Sequence, residues 1–292
     1  MSVIKKLKNN NMLKIEQQYA TDDIIYEVIM GSFAYGVSNA TSDMDVYGVC
    51  VPPSEIIFPH TIGYINGFGP KPENFENAQQ HHIKLNDKEY DVSIYSIVKY
   101  FHLCSDNNPN MIDSLFVPDR CITHIDNVGR IIRDNRQLFL HKGTYHRFRG
   151  YAHSQMSKIR TKTPIGKRKE LVEKFGYDVK FSYHLVRLME EAEQILIEHD
   201  LNLEKSKELL KTIRKGEWSF EELTEYFNKK EQILNEVYIN STLRKYPDYN
   251  KLKTILLTCI EEHYGSLNGL ISVNPQNKLL TDLIKLIDKY NN

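Results

Sequence analysis

Cysteine is scarce and scattered in this chain. Cys50, Cys104, Cys121 and Cys259 are its four cysteines, and none makes a C-x-x-C pair. That spacing argues against a disulfide framework or a zinc site and for reduced cytosolic thiols. An excess of charge is also missing, because Lys+Arg and Asp+Glu both number 38. Without a global field, a general nucleic-acid coat protein is disfavoured, although a local basic site is not. No apolar run approaches a membrane span, and Met1-Ser2-Val3-Ile4-Lys5-Lys6 lacks the apolar stretch of a signal peptide. A cytoplasmic location with no membrane partner is expected, in the host cytoplasm if the gene is a phage's. Internal repeats and low-complexity tracts are absent. The richness in Asn, Lys, Ile and Tyr suggests an AT-rich genome, such as that of a phage or a low-GC bacterium. At 292 residues the chain can bury a real core, and two domains are expected.

The chemistry-bearing segment lies early. An apolar run with Ile24, Ile25, Val28 and Ile29 leads into Met30-Gly31-Ser32-Phe33-Ala34-Tyr35-Gly36. A polar loop follows, then Ser42-Asp43-Met44-Asp45-Val46-Tyr47-Gly48-Val49. On a strand, alternate residues point to the same face, so Asp43 and Asp45 project side by side. Two adjacent carboxylates are unfavourable unless something positive joins them. Mg²⁺ prefers carboxylate oxygens together with substrate phosphates. The Gly31-Ser32 pair brings backbone N–H groups and a small hydroxyl close to such phosphates. Asp91, in the apolar run Tyr90-Asp91-Val92-Ser93-Ile94, supplies a third carboxylate. Three strand carboxylates beside a Gly-Ser turn match a two-metal site for phosphoryl or nucleotidyl transfer. Solvated turn residues are the ordinary reading of Asp-x-Asp, but here the pair sits inside an apolar strand pattern.

The first part of the chain reads as α/β, with a helix over 12–19 and strands over 24–30 and 43–51. Residues 33–39 are expected to begin a helix, and Pro52-Pro53 to stop the second strand. Residues 60–80, rich in Gly, Pro and Asn, read as a surface insertion. A hairpin over 82–85 and 90–94, helices over 96–103 and 111–116, and a break at Asn107-Asn108-Pro109-Asn110 follow. Beyond about Asn127 helical periodicity dominates, over 128–140, 148–159, 167–175, 179–199, 205–213, 220–238, 249–264 and 278–290. The expected fold class is therefore α+β: a core with a small mixed β-sheet over 1–126, then an all-α helical domain over 127–292 closing the cleft.

Gly31, Ser32, Asp43, Asp45 and Asp91 occur in the order and spacing of the DNA polymerase β-type nucleotidyltransferase superfamily, which the chain resembles. It is similar in particular to the stand-alone predicted nucleotidyltransferases of bacteria and phages, the YcgL-type proteins. That likeness extends to Asn108-Pro109, to Arg147-Phe148-Arg149-Gly150-Tyr151-Ala152-His153-Ser154-Gln155, and to the segment from Gly176-Tyr177-Asp178 to Arg187-Leu188. It runs from about Val28 to about Trp218. The resemblance implies that Asp43 and Asp45 bind both metals, and that Asp91 binds the catalytic metal and orients or deprotonates the acceptor hydroxyl. It also implies that Gly31 and Ser32 contact the β- and γ-phosphates. Glu89 shares a face with Asp91 and is the alternative third ligand in a shifted register. Asp91 is preferred because it lies within the apolar run.

Lys180, His184 and Arg187 recur at i, i+4 and i+7 and line one helix face. Asp178 stands as a cap before that helix, whose N-terminus favours anions. Lys180 is thus a candidate triphosphate contact. Tyr177 reads equally as a base-stacking or a core tyrosine, and His184 as a structural histidine. Between 142 and 169 nine Lys/Arg occur with no Asp or Glu. Arg149 and Lys158 are the candidates there for nucleotide binding on a basic cleft wall, against the alternative of a solvated face.

The expected reaction is Mg²⁺-dependent transfer of a nucleoside monophosphate from an NTP to a hydroxyl, releasing pyrophosphate. Mn²⁺ is a possible replacement metal and ATP the expected donor. The acceptor is an RNA end, a protein side chain or a small molecule. The alternative is a catalytically degenerate nucleotide- or RNA-binding module on the same fold, which retention of the three carboxylates disfavours. A phosphohydrolase is a weaker rival, since the helical half has no His-Asp cluster.

Overall fold

The computed structural model describes residues 2–39 and 42–267, together with Leu283. The helix expected over 278–290 and the loop residues Ala40 and Thr41 lie outside the described residues, Leu283 excepted. Val3–Asn9 (α1) and the single turn Tyr19–Asp22 (α2) precede Ile24–Ile29 (β1), which runs straight into a 3₁₀ turn, Gly31–Phe33. Met44–Cys50 (β2) leads to the short Ser54–Ile57 (α3). Asn77–Leu85 (β3) and Lys88–Ser96 (β4) form a hairpin, followed by Ile97–Ser105 (α4), Pro109–Leu115 (α5) and Ile122–Ile125 (β5). The remainder is helical: Asn127–Asp134 (α6), Gly143–Thr161 (α7), Lys167–Phe175 (α8), Val179–Glu198 (α9), Lys207–Arg214 (α10), Phe220–Asn240 (α11) and Tyr249–Tyr264 (α12).

The five strands form one mixed sheet in the order β3-β4-β2-β1-β5. The β2–β4 pair is parallel, and the other three pairs are antiparallel. Side-chain alternation gives the sheet two different faces. Met44, Val46, Cys50, Tyr90, Val92 and Ile94 pack with Ile4 and Leu7 of α1 on one side. Tyr26, Val28, Val49 and Tyr95 join the larger core, which continues through α4, α7 and α9 as far as Cys259 in α12. By the same alternation Asp45 and Asp91 lie on this second face, toward the helical half.

Glu27 explains the seat of α1. Its carboxylate is fully buried and accepts hydrogen bonds from Ser2 Oγ (2.5 Å) and the backbone N–H groups of Val3 (2.5 Å) and Ile4 (3.1 Å). A helix N-terminus offers unpaired donors and a partial positive charge, which suit a buried anion.

The helix expected over 12–19 is therefore displaced to Val3–Asn9, where Ser2 also caps Lys5 N at 3.0 Å. Asn11 in the left-handed region (φ 55°) ends the segment. The helix expected from Phe33 is a 3₁₀ turn, because the loop's carbonyls are taken by outside partners described below. Residues 60–80 are not all insertion, since β3 begins at Asn77. Its hairpin turns on Asn86 and Asp87, both at positive φ (50° and 58°), as a two-residue turn matching the strand twist requires. β5 was not expected. It is a four-residue edge strand with every residue half-buried, so it carries no alternation to read.

Candidate active site

The site is built where β1 ends and where β2 and β4 begin. Parallel pairing sets Asp45 directly opposite Asp91. Asp43 stands at the entrance to β2, exposed, while Asp45 and Asp91 are half-buried. Met30 N donates to Asp45 O at 2.7 Å, locking the start of the Gly31 turn to the Asp-x-Asp strand. Gly31 has φ +64°, and a Cβ there would lie 2.0 Å from Asp45 Oδ2. Only glycine lets the turn lie against that carboxylate.

Burial pushes the Asp45 carboxyl up to about 6; the charges of Asp91 and Asp43 add to this, while Lys180 and His81 oppose it. No ion pair reaches Asp43 or Asp45 among the described residues. Carboxyls crowded in this way favour a cation, and a set of hard oxygen donors fits Mg²⁺ or Mn²⁺. Sequence reasoning missed His81. Between Gln80 and Ile83 the β3–β4 register shifts, so His81 and His82 together oppose Asp91, and His82 takes φ 57°. This bulge sends His82 N to Asp91 Oδ1 at 2.8 Å and brings His81 Nδ1 within 3.5 Å of the same oxygen. Bulges re-aim side chains, and no residue type in the sequence signals this one. Glu89, the alternative third ligand, pairs with His82 Nδ1 at 2.5 Å. His82, Glu89 and Asp91 thus form a compact group at the edge of the site.

The Gly-Ser loop is held from several sides. Arg120 Nη2 donates to Phe33 O at 2.8 Å, and Arg214 Nη1 to Val37 O at 2.7 Å. Gly36, at φ +66°, packs against Glu204 of the segment before α10, whose Oε1 would lie 2.5 Å from a Cβ. Tyr35 Oη donates to Asp113 Oδ2 at 2.6 Å, and the Arg187 guanidinium lies 4.4 Å from the Tyr35 ring centroid. Arg187 Nη1 also reaches Asp113 Oδ2 at 3.0 Å. The helix face of Lys180, His184 and Arg187 is therefore not a solvated stripe. It starts exposed at Lys180 and ends buried at Arg187. Between them burial lowers the His184 imidazole to about 4, with the charges of Lys180, Arg168 and Arg214 acting the same way and Asp178 opposing. His184 is neutral at pH 7, consistent with a structural residue.

Asp178 caps α9 by accepting from Lys180 N (2.9 Å) and Phe181 N (3.1 Å). Lys180 is thereby set in the first helical turn, where its charge reaches Asp45. Ser32 sits half-buried in the 3₁₀ turn beside Gly31. Tyr177 and Arg149 are engaged elsewhere. Tyr177 is buried and donates to Trp218 O at 2.8 Å, which makes it a core tyrosine with no face for a base. Arg149 Nε is 2.5 Å from Glu231 Oε1 on α11, so the acid-free stretch is compensated from another helix. The basic stretch divides: Arg147 pairs with Asp106, whereas Lys158 lies over the ring of Phe181, the residue after Lys180.

A phage T4 protein described as an uncharacterised 38.9 kDa protein of the nrdC–mobD intergenic region is 31% identical over 134 residues. The match takes in 45% of this chain and 37% of that protein, so it spans little more than a third of the relative's length. A solved nucleotidyltransferase-like protein from Exiguobacterium sibiricum 255-15 aligns over 89% of this chain and 76% of its own, at 8% identity and a TM-score of 0.31. That likeness is too low to bear on the site. The family model described as RNA repair pathway DNA polymerase beta family (RlaP) matches residues 4–240, which include Asp43, Asp45, Asp91, the Gly-Ser turn and Lys180. A match over that much of the sequence makes this chain a member of the RNA repair pathway DNA polymerase β family.

Proposed function

We propose that the protein is a divalent-metal-dependent nucleotidyltransferase that moves an NMP from an NTP, with ATP as the expected donor, to an acceptor hydroxyl. The observation that carries this reading is the opposition of Asp45 and Asp91 across parallel strands, with the Gly31 turn against Asp45. Asp43, Asp45 and Asp91 would hold Mg²⁺ or Mn²⁺, which supplies charge neutralisation at the phosphates and acidity at the acceptor oxygen. Gly31 and Ser32 offer backbone N–H groups and a hydroxyl to the β- and γ-phosphates, and Lys180 adds a positive charge from α9. Asp91 Oδ1 is fixed by His82 N, leaving Oδ2 to orient the acceptor and take its proton. The acceptor oxygen forms a bond to the α-phosphorus, the bond from that phosphorus to the bridging oxygen breaks, and pyrophosphate leaves.

The family's RNA repair setting favours an RNA end over a protein side chain or a small molecule as acceptor. We further propose that 1–126 carries the chemistry and that 127–292 closes over the nucleotide. The test is pyrophosphate release with ATP, Mg²⁺ and RNA by the native chain and by Asp43→Asn and Asp45→Asn. Each variant should lose transfer while keeping its fold. Near-native turnover in either would remove the metal assignment.

A further inference from the structure

Beside the proposed site lies a patch of cations that the transfer reaction leaves without a role. Lys158 on α7, Lys162 at its C-terminal end and Arg168 on α8 place their charged groups 5.7, 5.6 and 3.9 Å from the centroid of the Phe181 ring. Phe181 follows Lys180, whose charge reaches Asp45. Arg168 has a carboxylate partner, Asp178 at 2.9 Å. Among the described residues no ion pair involves Lys158, Lys162 or Lys180. Like charges gathered this closely repel one another unless an anion joins them.

A second observation comes from α7 itself. Tyr151, Gln155, Lys158 and Lys162 recur at i, i+4, i+7 and i+11, which is one face of a helix. Tyr151 is 39% exposed, and its hydroxyl accepts from Asn108 Nδ2 at 3.3 Å. The stripe therefore starts at an exposed aromatic ring beside α5 and ends at unpaired lysines beside the first turn of α9. Its length along the helix is about 16 Å, more than one triphosphate spans and suited to several nucleotides. Spaced cations in line with an exposed aromatic ring are the equipment for a single strand, with phosphates on the cations and a base on the ring.

The geometry points to this stripe as the seat of a single-stranded RNA, with phosphates on Lys158, Lys162 and Arg168 and a base against Tyr151. RNA is favoured over DNA by the family's repair pathway. That this RNA is the acceptor rests on the transfer reaction proposed above; its binding does not.

The test is fluorescence anisotropy of a 5′-labelled single-stranded RNA of about twelve nucleotides, with the full chain in EDTA and no NTP. The double reversal K158E/K162E should weaken binding at least about tenfold, and should flatten the log–log salt dependence by about 1.4, at about 0.7 per lost phosphate contact. Tyr151→Ala should weaken binding about tenfold with the salt slope unchanged, and Tyr151→Phe should restore it, because stacking needs the ring and not the hydroxyl. K229E/K253E, the same charge change on α11 and α12, should alter neither. ATP affinity, measured with Mg²⁺ by calorimetry, should stay within about twofold in Lys162→Glu, which keeps the nucleotide-binding candidate Lys158. Unchanged RNA binding in K158E/K162E would overturn the proposal, as would an equal loss in K229E/K253E. Loss of ATP affinity with RNA binding intact, or tighter binding of DNA of the same sequence, would overturn it too. Asp45→Asn separates the two readings: it should bind the RNA normally. RNA binding that needs Lys158 and Lys162, without any pyrophosphate release by the native chain, would sink the transfer reading and leave this one standing.

Discussion

Asp45 concentrates the electrostatics of the site in one carboxyl. Its value is raised from 3.8 to about 6, first by burial and then by Asp91. A carboxyl raised in the folded state favours folding while protonated, and that advantage is lost as pH rises from about 4 to about 6. Asp45→Asn removes the group, so in EDTA the variant should be more stable than the native chain above about pH 6. The gain should reach at most about 3 kcal/mol and disappear near pH 4. Urea unfolding at several pH values measures it, and a gain independent of pH would disprove the assigned cause. Gly31→Ala should act oppositely, since its Cβ would overlap Asp45 Oδ2 at positive φ. We expect a stability loss of about 1–3 kcal/mol and no transfer activity. Asp91→Asn should reduce turnover more than nucleotide binding, and Glu89→Gln should do little; the reverse pattern in rate and titration experiments would move the third ligand to Glu89. These acidic positions were legible because each interrupts an apolar alternating run. His81 was not, because a bulge leaves no trace in composition. Asp113 carried no signal in the sequence, and Arg187 was visible only as the third member of the Lys180, His184 and Arg187 face.

Helix α9 links the site to the interior. Its first turn presents Lys180, and its third carries Arg187 among the buried carboxyls Asp113 and Glu191. Burial pushes both carboxyls up, and one guanidinium cannot neutralise two anions. Asp113 Oδ1, Tyr183 Oη and both Glu191 oxygens are buried without a hydrogen-bond partner among the described residues. Buried polar groups of this kind are commonly met by ordered water. Arg187→Met should leave the carboxyls unpaired, at a cost of about 3–5 kcal/mol. The loss should be greater at pH 8 than at pH 5, where Glu191, raised to about 7, is protonated; equal losses in urea at both values would show that Arg187 acts by packing alone. Lys180→Ala should weaken NTP binding more than NMP binding, and equal losses would indicate a structural role. The helices from α7 onward were legible from their period, and Lys167–Phe175 and Tyr249–Tyr264 were bounded to the residue. Their partners were not, because Glu231 answers Arg149 from 82 positions away. The N-terminal helix was misplaced because its anchor, Glu27, lies in a strand.

At the scale of the whole molecule, a small mixed sheet presents its carboxylate face to a helical half, and one apolar core runs through both. Tyr264 at the end of α12 donates to Pro52 O, just after β2, so the last described helix is tied back to the sheet. No described helix is long and apolar enough to cross a membrane. The fold class was legible because a short α/β pattern gives way to helical periodicity near Asn127. The packing of the two parts into one core was not, since it depends on contacts distant in sequence. The proposed reaction transfers the α-phosphate of a nucleotide with its nucleoside and discards the other two phosphates. The direct measurement uses ATP carrying separate labels on the α- and γ-phosphates, incubated with the protein, Mg²⁺ and single-stranded RNA. The α-label should enter the RNA while the γ-label leaves as pyrophosphate, and Asp45→Asn should abolish both. Release of the γ-label as inorganic phosphate, with no α-label in any product, would contradict it.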